Sequence, residues 1–263
     1  MSAPFTLRGK PCEPMLQSLW DSVRSEHEGV LLSPYLPAFC ALLTHVTFCA
    51  PFLVLDLFGG GERLRAWRIS ADAPPPPLRA WLACLWKIAV QYLTVVLPVT
   101  ALLQKPMGPA QLPESSPTNW QIFVDVFACL LLFDTLFFFL HLSLHRVPWL
   151  YRNIHQQHHQ HQAPFALQAQ DASTPELLSL LLLARFSAWF VNCHPLSEVF
   201  FHILNTWLAV EDHSGYNLPW ALHRLLPFLG GAPHHHTHHS RHNVNFAPYF
   251  THWDQLFGTY SGD

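Results

Sequence analysis

The residues best suited to chemistry are histidines, 19 in a chain of 263, and they recur in a pattern. His235-x-x-His238-His239 repeats His155-x-x-His158-His159, and a sparser relative, His141-x-x-x-His145, stands just before. Residues at i, i+3 and i+4 of a helix leave one face, so each box is expected to present its imidazoles together. Neutral imidazole is a donor for Fe, Zn, Cu and Ni. The boxes supply His141, His145, His155, His158, His159, His235, His238 and His239, and His213 and His223 in the intervening segment are candidate additions. A single zinc takes four ligands. Eight to ten imidazoles therefore point to two metals, with positions left open for oxygen. A tract such as His234-His235-His236 can instead be a loose metal-buffering loop. Three boxes, each abutting an apolar segment, outweigh that reading. The Glu-x-x-His pairs of carboxylate-rich di-iron bundles are missing. His161, His234, His236 and His242 are expected to surround the site, and His27, His194 and His202 to serve structure.

The elements that must carry these boxes are apolar. Half of the residues are hydrophobic and only 12% are charged, about half the ~25% of a soluble domain. So few charges imply a lipid-facing surface. A helical span needs ~20 apolar residues, and candidates run over 35–58, 80–103 and 120–142. A fourth apolar region, 176–210, is interrupted at Asn192-Cys193-His194-Pro195, which predicts a hairpin dipping into the bilayer or two tilted helices. Its return would bring the third box to the other two. The third span runs without a break into His141 and His145, placing the site at the membrane boundary. Pro74 to Pro77 mark a stiff linker before the second span.

Within the spans, His45 reads as a packed, hydrogen-bonded histidine, and Lys87 as a side chain that snorkels to the headgroups. Asp134 lies near mid-span and must pair with a neighbouring helix or lie close to the histidines. The expected fold is all-α: a multi-pass membrane helical protein with a histidine-rich dimetal centre facing the cytoplasm. Residues 1–34 form an N-terminal arm, with a short interfacial helix or loose segment near Met15–Val23, and 35–263 form one membrane-embedded domain. MSAPFTLRGKPCEPM lacks the apolar core of a cleavable signal peptide, so membrane entry is expected to rely on the first span.

Three crossings put Arg63, Arg65, Arg68, Arg79, Arg146, Arg152, Arg224 and Arg241 on the side of the boxes. Arg8, Lys10, Arg24 and Lys105 fall on the other. The positive-inside rule then places the boxes in the cytoplasm. A net charge of −3 and the lack of a basic run argue against a nucleic-acid partner. The six cysteines, Cys12, Cys40, Cys49, Cys84, Cys129 and Cys193, are scattered without a Cys-x-x-Cys pair and read as small core residues.

Three blocks carry a family likeness: LLFDTLFFFLHLSLHRVPWLYRNIHQQHHQ at 131–160, WLAVEDHSGYNLPW at 207–220, and HHTHHSRHNVNFAPYFTHWDQLFGT at 235–259. On these the chain resembles the fatty acid hydroxylase and sterol desaturase superfamily of membrane non-haem di-iron enzymes. The resemblance implies two iron ions held by the box histidines, with a further ligand at His213 or His223. It implies hydroxylation of a sterol side chain with O₂, a sterol drawn from membrane lipid, and NADPH-derived electrons from a membrane-bound reductase or cytochrome. It also implies residence in the endoplasmic reticulum membrane. One departure is Leu144, where close relatives can carry another histidine, although His141 and His145 on either side are kept. Sterol desaturase, methyl oxidase and fatty acid hydroxylase activities would use a similar centre. A histidine-rich membrane metal transporter would instead need ionisable residues along several spans, and a sterol-sensing protein could keep a degenerate site.

Overall fold

A computed structural model describes residues 16–59, 61–104 and 112–262. Arg8, Lys10, Cys12 and Lys105 lie outside the described residues, and so does the beginning of the arm. Helix α1 (Gln17–Leu31) is followed by α2 (Leu36–Phe58) and by α3 (Leu78–Gln91). The last continues through a π-helical turn at Tyr92–Val96 into Leu97–Gln104. Then come α4 (Asn119–Arg146), α5 (Thr174–Val191), α6 (Pro195–Asp212), α7 (Gly231–Arg241) and the short α8 (His252–Phe257). Among the described residues the only β-structure is two isolated bridges, Arg68 with Tyr216 and Leu229 with Phe250.

Four helices are long and apolar enough to cross a membrane: Leu36–Phe58, Leu78–Leu103, Asn119–Arg146 and Thr174–Val191. Leu43, Trp86, Leu93, Phe123, Phe127 and Phe190 stand exposed on them, as side chains solvated by lipid would. The 28 residues of α4 make a rod of ~42 Å at ~1.5 Å per residue, longer than a hydrocarbon core of ~30 Å. The surplus exceeds two turns, and the last two turns carry His141 and His145. The Thr118 hydroxyl starts this helix by accepting the Gln121 N–H at 3.1 Å.

The interrupted fourth region is a pair of helices. Ser173 caps α5 and Pro175 enters its first turn. Asn192, at φ 55° in the left-handed region, ends it. The His194 imidazole then caps α6 by accepting the Leu196 N–H at 3.1 Å. Helix α4 packs on both limbs of this hairpin, and α2 packs on α6. One apolar core lies between α2 and α3, around Phe52, Trp81, Ile88 and Tyr92. The other lies between α4 and the hairpin, around Cys129, Phe133, Ala188 and Phe201.

The arm is tied down where it is described. Trp20 is buried, its indole N–H donates to the Pro113 carbonyl at 2.8 Å, and its ring meets His194 edge-on. His45 is buried and its Nε2 lies 3.2 Å from the Leu167 carbonyl, as expected of a packed histidine. Lys87 is partly exposed and has a counter-charge in Asp171, whose Oδ1 stands 2.5 Å from its Nζ. One expectation is refined. Asp134 pairs with no neighbouring spanning helix. Its Oδ1 accepts the N–H groups of Tyr249 and Phe250, both at 2.9 Å, and so holds the C-terminal segment to α4.

The hairpin turn makes a simple prediction. Asn192→Ala should destabilise the fold by about 1–2 kcal/mol, because alanine pays for the left-handed conformation, whereas Asn192→Gly should leave it nearly unchanged. Thermal unfolding in detergent compares the two.

Candidate metal centre

Four segments converge at one end of the bundle. Helix α4 supplies His141 and His145 from its last two turns. After Val147 breaks it, a helical turn at Pro148–Leu150 and a π-helical turn at Tyr151–His155 lead into a 3₁₀ turn at His158–Gln160. This broken path replaces the regular helix expected for the second box and turns its neighbouring residues apart. His213 is the residue that closes α6, and α7 supplies His235, His238 and His239.

The imidazoles gather into two clusters, His141, His145, His155, His159 and His238 in one, and His158, His213, His235 and His239 in the other. Within each, all candidate ligand atoms lie within 4.8 Å of one another. The second and third boxes are both split between clusters. In the first cluster the Nε2 atoms of His141 and His155 are 3.0 Å apart, of His155 and His145 2.9 Å, of His155 and His159 2.9 Å, and of His159 and His238 3.1 Å. In the second, His213 Nε2 is 3.2 Å from that of His158 and 2.9 Å from that of His235.

The opposite edges of these rings decide what such distances mean. Nδ1–H of His141 donates to the Phe246 carbonyl, and that of His238 to the Val244 carbonyl, both at 2.7 Å. Nδ1–H of His213 donates to the Ala209 carbonyl at 2.8 Å, and that of His155 to Glu176 Oε1 at 2.7 Å. The carbonyl oxygens only accept, so at His141, His238 and His213 the proton sits on Nδ1 and Nε2 turns a bare lone pair inward, and an ionised Glu176 does the same for His155. Lone pairs ~3 Å apart repel unless a cation lies among them. Two nitrogens ~2.1 Å from one metal, at a right angle, are themselves ~3.0 Å apart. The donor set therefore fits a metal in each cluster.

Charge state agrees. Burial first, then the neighbouring imidazoles, hold His159, His213, His235, His238 and His239 far below the ordinary histidine value, and His155 at about 3. Aromatic rings wall the first cluster: Phe137 lies 5.0 Å from the His141 ring, Phe246 5.2 Å from that of His145 and Tyr151 5.5 Å from it.

Nine of the ten histidines expected at the site are thus together. His223 is not. Its Nε2 faces Asn217 Oδ1 at 3.2 Å, and its ring lies against the backbone of Gly231, where an added Cβ would come within 2.1 Å of its Nδ1. Leu144 is buried, and the first cluster assembles five imidazoles without that position. Glu176 was not anticipated from the sequence. The available signal was a carboxylate in the first turn of an apolar helix, 17 residues beyond His159, the last histidine of the second box. His242, expected only as surroundings, has its ring 4.6 Å from that of His159 and its Nδ1 3.4 Å from the Tyr151 hydroxyl.

The comparisons with known proteins bear on this arrangement. The fatty acid hydroxylase family model matches residues 126–259, which contain every clustered histidine. The chain is 47% identical to cholesterol 25-hydroxylase of Rattus norvegicus over 248 residues, 93% of this chain and 82% of that protein. It is likewise 47% identical to cholesterol 25-hydroxylase of Homo sapiens, covering 93% of this chain and 90% of the relative. The chain belongs to the cholesterol 25-hydroxylase family. A cholesterol 25-hydroxylase-like protein of Danio rerio is 40% identical over 93% of this chain and 97% of its own length. No solved structure matches. Membership of the cholesterol 25-hydroxylase family makes the chain a hydroxylase homologue with a histidine-cluster metal site in a membrane-embedded helical fold.

Two outcomes follow from the geometry. His213→Ala should lower the metal content of the purified protein, while His223→Ala should leave it at the wild-type level, as read by elemental analysis. Glu176→Gln should weaken metal retention by about 10–100-fold in chelator competition, since it removes the charge behind His155.

Acid should act through the clusters as well. The folded pKa values of the clustered histidines outside the spans lie below the unfolded value of 6.5. The contribution of these imidazoles to the stability of the chelator-treated protein is then full above about pH 6.5 and falls as the pH drops towards about 3, because in that window the unfolded chain protonates them and the folded chain does not. Thermal unfolding against pH tests this, and a flat profile would contradict it.

Proposed function

We propose that this chain is a membrane non-haem di-iron monooxygenase that hydroxylates a sterol side chain, converting cholesterol to 25-hydroxycholesterol. The observation that carries the reading is the pair of adjoining imidazole clusters, five and four, with the lone pairs of His141, His155, His213 and His238 turned inward. The substrate is inferred from the names of the relatives, cholesterol 25-hydroxylases at 47% identity over 93% of the chain. The proposed ligands are His141, His145, His155, His159 and His238 for one iron, and His158, His213, His235 and His239 for the other.

When bound, the irons supply the oxidising power that an unactivated C–H bond requires, since no side-chain base can remove its proton. One oxygen atom of O₂ enters the C–H bond and the other leaves as water, using two electrons and two protons. The electrons are assigned to NADPH through a membrane-bound reductase or cytochrome, because the sequence carries no flavin or nucleotide motif. The residues of the chain contribute geometry and dryness. The carbonyls of Phe246, Val244 and Ala209 and the Glu176 carboxylate fix the imidazole tautomers. Phe137, Tyr151 and Phe246 keep water from the first cluster.

The sterol is taken to arrive from the bilayer, tail first, because the clusters stand where α4 leaves the membrane. A cytoplasmic position for the clusters is supported by the exposed Arg65, Arg79, Arg146, Arg152, Arg224 and Arg241, which three crossings place on the side of the boxes, and residence in the endoplasmic reticulum membrane is carried over from the family resemblance. Activity is tested by expressing the chain in sterol-containing cells and profiling oxysterols by mass spectrometry. Wild type should raise 25-hydroxycholesterol, and His158→Ala and His238→Ala should each abolish it. Product retained in both variants would overturn the reading.

A further inference from the structure

Two of the carbonyls that orient the first cluster, Val244 and Phe246, belong to one short segment after α7. That segment is not held by regular secondary structure. It is held by Asp254, in α8, which is fully buried. Asp254 Oδ1 accepts the Phe246 N–H at 2.8 Å and the Thr259 hydroxyl at 2.6 Å, and Oδ2 accepts the Ala247 N–H at 2.8 Å. His234 Nε2 stands 3.5 Å from Oδ2. Between the two carbonyls lies Asn245, also fully buried and at φ 57° in the left-handed region. Its side-chain amide donates to the carbonyls of His234 and Ser261, both at 3.1 Å, and its Oδ1 accepts the Ser261 N–H at 2.7 Å.

We propose that Asp254, together with Asn245, is a positioning residue for the five-imidazole cluster. The clamp fixes the peptide units of 244–247, and the carbonyls of Val244 and Phe246 then set His238 and His141 with Nε2 facing inward. One of these histidines comes from the spanning helix α4 and the other from α7, so the clamp aligns ligands that no single helix aligns. The four-imidazole cluster takes no orienting carbonyl from this segment; its His213 is oriented by Ala209 within α6. Burial tends to raise the Asp254 carboxyl, and contacts from His234, Thr259 and the two backbone N–H groups bring it below the usual carboxylate range. Both oxygens are then acceptors, and an amide in their place would turn a donor towards a donor.

The inference rests on the two-metal reading, and its test separates the two. Full-length wild type, Asp254→Asn and His235→Ala are purified in detergent and titrated with Co²⁺, following its visible absorption and counting bound metal. Wild type should take two equivalents. Asp254→Asn, with helical circular dichroism and a monodisperse profile unchanged, should keep one equivalent at wild-type affinity and bind the other at least about tenfold more weakly. Its remaining absorption should match the part that His235→Ala loses. If Asp254→Asn does not fold, Asn245→Gly, which keeps the left-handed backbone but drops the amide clamp, should show the same one-cluster loss. Wild-type binding and spectrum in a folded Asp254→Asn, or in Asn245→Gly if that is the variant measured, would overturn the inference alone. Equal weakening at both clusters would also overturn it, in favour of a general structural role. A wild-type chain that takes fewer than two equivalents overturns the two-metal reading, and the selectivity claimed here with it.

Discussion

Nine imidazole nitrogens turned towards one another, without protons between those whose far edges already donate, form an arrangement that cannot be stable on its own terms. Burial keeps these rings neutral, and proximity makes their lone pairs repel. The protein tolerates this only because the opposite edge of the ring is engaged at His141, His155, His213 and His238. Much of the remaining architecture serves that condition. The spanning helix α4 carries two rings past the membrane edge, the hairpin delivers Glu176 at one end and His213 at the other, and the C-terminal segment brings two carbonyls to bear.

The membrane helices matter here less as a barrier than as a rigid frame. Their outer surfaces are solvated by lipid, and their inner surfaces bury the aromatic cores around Phe52 and Trp81 and around Phe133 and Phe201. Ionisable groups inside this frame are met by protein. Asp134 is engaged by two backbone N–H groups, and Asp56 accepts the Tyr216 hydroxyl and the Trp81 indole N–H. The same Asp134 contact ties the segment holding Tyr249 and Phe250 to the helix that bears His141 and His145.

The spans and the boxes were legible in the chain because hydropathy and helical period are local properties. The break at Asn192–Pro195 was legible too, since left-handed and proline-bounded positions leave a mark in residue type. Four features were not. Periodicity places His155, His158 and His159 on a common face, but it does not say which neighbour each ring meets, and this box is divided between clusters just as the regularly helical third box is. His213 and His223 looked alike in sequence, and only the end of α6 and the close backbone of Gly231 distinguish them. Carbonyl partners leave no trace in side-chain identity, so the role of the 244–247 segment was invisible. Glu176 and Asp171 bond across 21 and 84 residues, to His155 and Lys87, distances over which no local pattern extends.

Consecutive residues His158 and His159 serve different clusters, and so do His238 and His239. Adjacent side chains share one peptide unit, so neither cluster has a private backbone on these two segments. A tilt of α7 or a change in the turn after Tyr151 moves a ring in each cluster at once, in a ratio set by covalent geometry. A displacement of either backbone segment therefore reaches both halves of the centre, whereas a ring turned from its far edge, as by the carbonyls of Val244 and Phe246, is moved alone.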